Sequence, residues 1–238
     1  MSSMTEADGP AGEGPERVAS VRRDLAEYGP PRNPDGAPDF ATVTLPQRDC
    51  DQVRDLLVDE RAGTVVEIGL AYAGSALAIG EALLRAGSRT PRHVVIDPFQ
   101  YTAYDGVGWE LMLNAGLDGV AELVTEPSQL FLARLADVGF EADAAFVDGS
   151  HHFHNVFVDL HFLGGIVRPG GMVLLDDVWW PSVAAAAAYF ESNLGWQPVP
   201  SALADGTADP DTGRPRTRAY RLPDPRPTPD FKDFRPFC

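Results

Sequence analysis

The chain has 238 residues, 44% of them hydrophobic and 23% charged, a length and balance that fit one large α/β domain with a sizeable buried core. Its formal net charge of −16 repels a phosphate backbone and argues against nucleic acid as a partner. Two distant cysteines, Cys50 and Cys238, offer neither a disulfide framework nor a zinc site, and no apolar run approaches the ~18 residues of a membrane span.

The acidic opening MSSMTEADGPAGEGPER lacks the apolar stretch of a signal peptide, so a cytoplasmic protein with no membrane contact is expected. Residues 1–16 are polar, rich in Gly and Pro, and expected to form a disordered tail. Arg17 to Tyr28 reads as a short helix closed by GPPRNPDG, and Gln47 to Glu60 as a second helix. These N-terminal helices, 17–60, are candidates for covering a site or for pairing subunits into a homo-oligomer. From Thr64 the chain alternates. Thr64-Val-Val-Glu-Ile-Gly69 is a short buried strand, Ser75 to Arg85 a helix, and His93-Val-Val-Ile-Asp97 a second strand. Trp109 to Ala115 is helical, Ala121 to Thr125 a third strand, Ser128 to Val138 a helix, and Asp143 to Asp148 a fourth strand. Val156, Phe157, Leu160, Leu163 and Val167 fall at helical spacing over 153–167. Pro169-Gly-Gly is expected as a turn, Met172 to Asp176 as a fifth strand, and Ser182 to Leu194 as an alanine-rich helix.

Trp196-Gln-Pro-Val and Arg218-Ala-Tyr-Arg-Leu, on either side of a Gly/Asp/Pro loop, suit a final antiparallel pair. Continuous apolar strands separated by helices imply a parallel sheet covered on both faces. The expected fold is therefore Rossmann-like and doubly wound, a mostly parallel seven-stranded sheet with an antiparallel last strand, in one domain over 17–222 with its core at 61–222. The tail, 223–238, is proline-rich and ends FKDFRPFC, whose aromatics are candidates for docking.

Ligands of open α/β sheets bind beyond the carboxyl ends of the strands. The first strand ends EIGLAYAGS, where Gly69 permits a tight turn and Gly74 and Ser75 open the next helix. Glu67 at this strand end disfavours a pyrophosphate and suits a cationic amino acid moiety, and the dinucleotide fingerprint G-x-G-x-x-G is absent. Asp97, ending the second strand, stands where an acid accepts hydrogen bonds from ribose hydroxyls.

The segment VVEIGLAYAGSALAIGEAL resembles the first motif of class I methyltransferases dependent on S-adenosylmethionine (SAM), in the form E-x-G-x-x-x-G-x-S. Ala73 stands where that form has its second glycine, which an alanine satisfies only with a negative φ. The resemblance implies that Glu67, Gly69, Ala73, Gly74 and Ser75 line the methionine part of SAM, that Asp97 holds the ribose, and that Ser128 lies near the adenine.

A second constellation is VDGSHHFHN after strand four and LLDDVWWP after strand five. Adjacent strands would gather Asp148, Asp176 and Asp177 at one rim, and three carboxylates repel unless a cation neutralises them. Oxygen ligands favour a hard ion such as Mg²⁺, or Mn²⁺. The pair of motifs, within residues 60–185, is similar to that of the metal-dependent small-molecule O-methyltransferases, the group of catechol O-methyltransferase and of the macrolide and aminocoumarin sugar O-methyltransferases. That resemblance implies that Asp148, Asp176 and Asp177 bind the metal, with Asp148 also bordering SAM. Where the catechol enzymes carry a lysine base, three residues after the first acid, this chain has His151, whose intrinsic pKa of ~6.5 suits a general base at neutral pH. His152 and His154 read as surface or packing residues. Trp179-Trp180-Pro181 reads equally as an acceptor wall or as packing.

The expected activity is thus SAM- and divalent-metal-dependent methyl transfer to a hydroxyl of a small molecule, a secondary metabolite. Metal-independent N- or carboxyl-methylation, a nicotinamide-dependent oxidoreductase and a SAM-sensing scaffold are the alternatives.

Overall fold

The structure, a computed structural model, describes residues 13–31 and 39–237; the expected tail over residues 1–12 and the thiol of Cys238 lie outside the described residues. Five strands run parallel at its centre: β1 (Thr64–Ile68), β2 (Arg92–Ile96), β3 (Ala121–Val124), β4 (Ala142–Val147) and β5 (Val167–Leu175). Among the described residues, eight α-helices accompany them: α1 (Glu13–Tyr28), α2 (Phe40–Val43), α3 (Gln47–Asp59), α4 (Gly74–Arg85), α5 (Val107–Asn114), α6 (Ser128–Asp137), α7 (Phe153–Ile166) and α8 (Pro181–Leu194). Two further strands, β6 (Gln197–Pro198) and β7 (Arg218–Arg221), complete a seven-stranded sheet of order β3-β2-β1-β4-β5-β7-β6. β7 is antiparallel to both its neighbours. The expected doubly wound sheet with an antiparallel last strand is what the chain forms. Among the described residues no helix is long and apolar enough to cross a membrane.

Strand alternation divides the core. Val66, Ile68, Val94 and Ile96 point to the side covered by α6, α7 and α8, where they meet Leu132, Leu160 and Phe190. Val65 and Phe146 face Leu57 of α3 and Ile79 of α4, and Val95 faces Val18 of α1, Leu77 of α4 and Met112 of α5. The strand order reverses between β1 and β4, and that switch point puts their carboxyl ends side by side.

Two elements depart from the sequence expectation. α1 begins at Glu13, four residues before Arg17, so residues 13–16 belong to a helix and not to the expected tail. Its Val18, Arg22 and Leu25, at helical spacing, are all buried. The expected turn at Pro169-Gly-Gly lies within β5, because β4 and β5 shift register between Ala142↔Val167 and Ala144↔Met172 and the extra residues are taken up as a bulge. Asp143 ties that end together, accepting from Arg168 Nε at 2.9 Å and from the Gly63 amide at 2.8 Å. The tail docks on α8: Phe237 meets Tyr189 edge-on at 5.4 Å, and Asn193 exchanges two hydrogen bonds with the Arg235 backbone.

Candidate active site

The glycine turn and the first acid motif touch. Gly69 sits at φ +96°, its N–H bonded to Ile96 O at 2.9 Å, and a Cβ there would lie 2.0 Å from the carbonyl oxygen of Asp148. Only glycine allows the end of β1 to pass that close to the end of β4. Ala73, the N-cap of α4, takes φ +64° and ψ 20°, not the negative φ expected for an alanine, and Ala71 is also left-handed at φ +44°. Each such residue costs about 1–2 kcal/mol. The conformation is imposed by Asp97, whose Oδ2 accepts from the amides of Leu70 and Ala71 at 3.1 and 3.0 Å, and by the Ala73 N–H, bonded to Leu70 O at 2.7 Å.

Glu67 does not offer its carboxylate to the cleft as expected. It is fully buried, with Oε1 accepting from Ser75 Oγ at 2.6 Å and Oε2 2.8 Å from Nε2 of the buried His93. A carboxylate on the inner face of β1 must find partners there, since an unpaired buried charge is costly, so Glu67 and Ser75 brace the turn from beneath. The solvent-facing surface of the turn is made by Gly69, Ala71 and Gly74. Asp97 keeps its place at the tip of β2 and also accepts from the Phe99 amide at 2.8 Å. Gln100 is a second clasp that no motif announced, bonded to Ala71 O and to the Trp109 amide at 3.0 Å each.

Ser128 opens α6, but its hydroxyl turns inward to Asp159 Oδ1 of α7 at 2.7 Å. Asp159 is 1% exposed, and burial pushes its carboxyl up to about 7 against the opposing pull of that hydrogen bond. Only its placement among apolar residues of a helix could have marked it.

At the tips of β4 and β5, Asp148, His151 and Asp177 offer ligand atoms that all lie within 4.8 Å of one another. Burial, then the charges of Asp176 and Asp177, push the Asp148 carboxyl well above the usual carboxylate range. His151 is 47% exposed; its Nε2 stands 2.9 Å from Asp177 Oδ2, and that hydrogen bond raises its pKa above the ordinary histidine value. Ser182 of α8 donates to the His151 carbonyl at 2.6 Å and fixes the loop. Asp177 has φ +54°, which turns it toward this group and away from its neighbour.

Asp176 does not join the group as expected. It is 2% exposed, with Oδ2 accepting from Arg216 Nε at 2.9 Å and Oδ1 accepting from the Thr217 hydroxyl. Successive residues at a strand end point apart, so Asp176 meets the strand beside it while Asp177 meets His151. Arg216 was not singled out by any sequence motif. The signal was topological: an antiparallel β7 pairs Arg218 with Leu175, so residues just before Arg218 must flank residues just after Leu175. The tryptophans part ways too. Trp179 is half-buried with the Arg216 guanidinium 5.7 Å from its ring centroid, whereas Trp180 is 53% exposed. His152 caps α7 and His154 tilts against it at 5.8 Å, both exposed.

A sheet of this order, with a glycine turn after β1 and acids at the tips of β2, β4 and β5, is the architecture of class I SAM-dependent methyltransferases. Residues 66–178 match the family model of a methyltransferase domain. No curated protein matches it in sequence. Among solved structures, it is similar to an O-methyltransferase from Bacillus cereus in complex with SAH (TM-score 0.57, 15% identity, covering 91% of this chain and 93% of that one). It is also similar to the O-methyltransferase TomG from Streptomyces achromogenes in complex with SAM (0.59, 14%, 87% and 90%) and to SAH-bound methyltransferase PaMTH1 of Podospora anserina (0.58, 14%, 93% and 99%).

Proposed function

We propose that this chain is a SAM-dependent O-methyltransferase acting on a hydroxyl of a small molecule, aided by a divalent cation, with residues 17–222 and the first turn of α1 as its catalytic domain. The observation that carries the reading is the contact between the Gly69 turn and Asp148, with His151 and Asp177 beside it. It brings a donor site and an acid–base pair to one point of the rim. TomG, of the same fold, is involved in tomaymycin synthesis, which supports a secondary metabolite as acceptor.

Methyl transfer is an in-line displacement: the acceptor oxygen attacks the sulfonium methyl, the S–CH₃ bond breaks, and the hydroxyl proton must leave. Gly69 and Gly74 give the methionine part of SAM room to lie against backbone, and Asp97, already holding the turn, accepts from the ribose. His151 takes the acceptor's proton at Nδ1, while Asp177, bonded to Nε2, orients the ring and steadies the imidazolium. Asp148 and Asp177 are suited to a hard cation: both are carboxylates, and no described residue donates a hydrogen bond to the Asp148 side chain. Bound there, a Mg²⁺ ion supplies polarisation of the acceptor hydroxyl, lowering its pKa.

A second reading, metal-independent transfer by the His151–Asp177 pair, is favoured by Arg216, which already brings positive charge to Asp176 and Asp177. Calorimetry with SAM, followed by turnover of a panel of phenols and glycosides with Mg²⁺ or with EDTA, separates them. The first reading expects EDTA to abolish turnover; the second expects it to survive. His151→Ala is expected to lower kcat by ~10²–10⁴, with partial recovery at high pH. An unchanged rate would remove His151 as the base.

A further inference from the structure

Resting on the metal-assisted reading, we infer that Arg216 sets the composition of the cation site by holding Asp176 out of the ligand set. Asp148 and Asp177 are then left as the rim's carboxylate ligands, and the ion binds more weakly than a three-acid site would hold it.

The geometry is specific. Arg216 is 7% exposed, and its Nε reaches Asp176 Oδ2 at 2.9 Å and Asp177 Oδ1 at 3.5 Å. The hydroxyl of Thr217 takes the other oxygen of Asp176. Both carboxylate oxygens of Asp176 are thereby engaged inside the protein, whereas Asp148 has no described donor.

Arg216 is held in place from several sides. Its carbonyl accepts from Val178 N at 2.9 Å, and its own N–H bonds Thr207 O at 2.7 Å. Thr207 in turn gives its amide and hydroxyl to the buried Asp49 of α3, at 2.5 and 2.7 Å. The guanidinium also packs over Trp179. A planar fork fixed this way does not swing aside for an ion as a surface lysine would. A +1 charge this close to Asp177 also opposes a +2 ion on the same carboxylate.

The test is Mn²⁺ binding to the full chain, read as free Mn²⁺ by electron paramagnetic resonance, so that turnover plays no part. Asp176→Asn is expected to bind Mn²⁺ within about threefold of wild type, and Arg216→Gln at least tenfold more tightly. Most of the gain should be lost in the double variant, leaving only the smaller part due to the charge removed from beside Asp177. Arg216→Lys, which keeps the charge but loses the fixed planar fork, is expected to bind Mn²⁺ several-fold more tightly than wild type, and no gain there overturns the inference should Arg216→Gln fail to fold.

Loss of Mn²⁺ binding in Asp176→Asn, or no gain in Arg216→Gln, overturns the inference. So does a gain that persists in full in the double variant, since Arg216 would then act through charge alone and withhold no ligand. Asp148→Asn probes the underlying reading separately. If Mn²⁺ binds that variant as it binds wild type, the rim is not the cation site, whatever Arg216 does.

Discussion

At the scale of single residues, the site is governed by what each polar group does with its hydrogen bonds. Asp159 shows the cost of burying one with a single neutral partner. Its carboxyl, pushed up to about 7, is protonated in the folded chain and ionised in the unfolded chain across the interval from about 4 to 7. A raised folded-state pKa gives stability that is fully present below about 4 and is lost as pH rises to about 7. Asp159→Asn keeps the shape and the Ser128 contact without the charge. It is expected to stabilise the protein by about 2–4 kcal/mol at pH 8 and to flatten the pH dependence of Tm between 4 and 7. A Tm–pH curve superimposable on wild type would mean that Asp159 stays ionised when buried. Gly69→Ala makes the opposite case, for backbone. The new Cβ would need to occupy space 2.0 Å from Asp148 O at φ +96°, so the ends of β1 and β4 must separate. Urea unfolding is expected to show a loss of about 3 kcal/mol or more, together with lost SAM affinity by calorimetry. Retained SAM affinity would detach the turn from the cofactor.

At the scale of elements, apolar runs were the legible part. Val65 to Ile68, His93 to Ile96 and Ala144 to Val147 are buried on both faces, and such strands announce themselves as continuous hydrophobic stretches. The bulge at Pro169-Gly170-Gly171 was not legible, because proline and glycines signal a turn whether the strand stops or only steps aside. The candidate site followed the same division. Asp148 and His151 could be placed together because only Gly149 and Ser150 of one loop separate them, and Asp177 because β4 and β5 are neighbours. Which of Asp176 and Asp177 faces the cleft depends on a strand end and a left-handed φ, neither of which a dipeptide of identical residues reveals. Arg216 depended on β7 folding back from more than forty residues beyond Asp176, a contact visible only after the hairpin was taken as antiparallel and its register worked out. Glu67 was misplaced for a related reason: strand alternation put it on the inner face with His93, two positions back along the neighbouring strand.

At the scale of the whole molecule, rim and support are separate. The carboxyl ends of β1, β2, β4 and β5 carry the glycine turn and the acids, while the far ends are tied by Asp143 and by Arg221, which grips both Glu60 oxygens at 2.6 Å. The C-terminal tail belongs to the supporting part. It reaches β5 at its first residue, where Arg226 donates to Val167 O at 2.6 Å, and the C-terminal half of α8, where Asn193 bonds the Arg235 backbone and Tyr189 meets Phe234 and Phe237. Asn193 lies twelve residues along α8 from Pro181, which at a rise of 1.5 Å per residue is about 18 Å from the helix end that meets His151. The contacts are few and mostly exposed, so ending the chain after Leu222 is expected to cost only about 1–2 kcal/mol, a drop in Tm of roughly 3–6 °C. SAM affinity and any metal affinity should be unchanged, because no described residue of the tail touches the rim. Calorimetry on the shortened chain checks both at once. A Tm loss with intact SAM binding assigns the tail to the scaffold, whereas weakened SAM binding would mean that the slant of α8, and with it Ser182 and the His151 loop, is set from the far end of the helix.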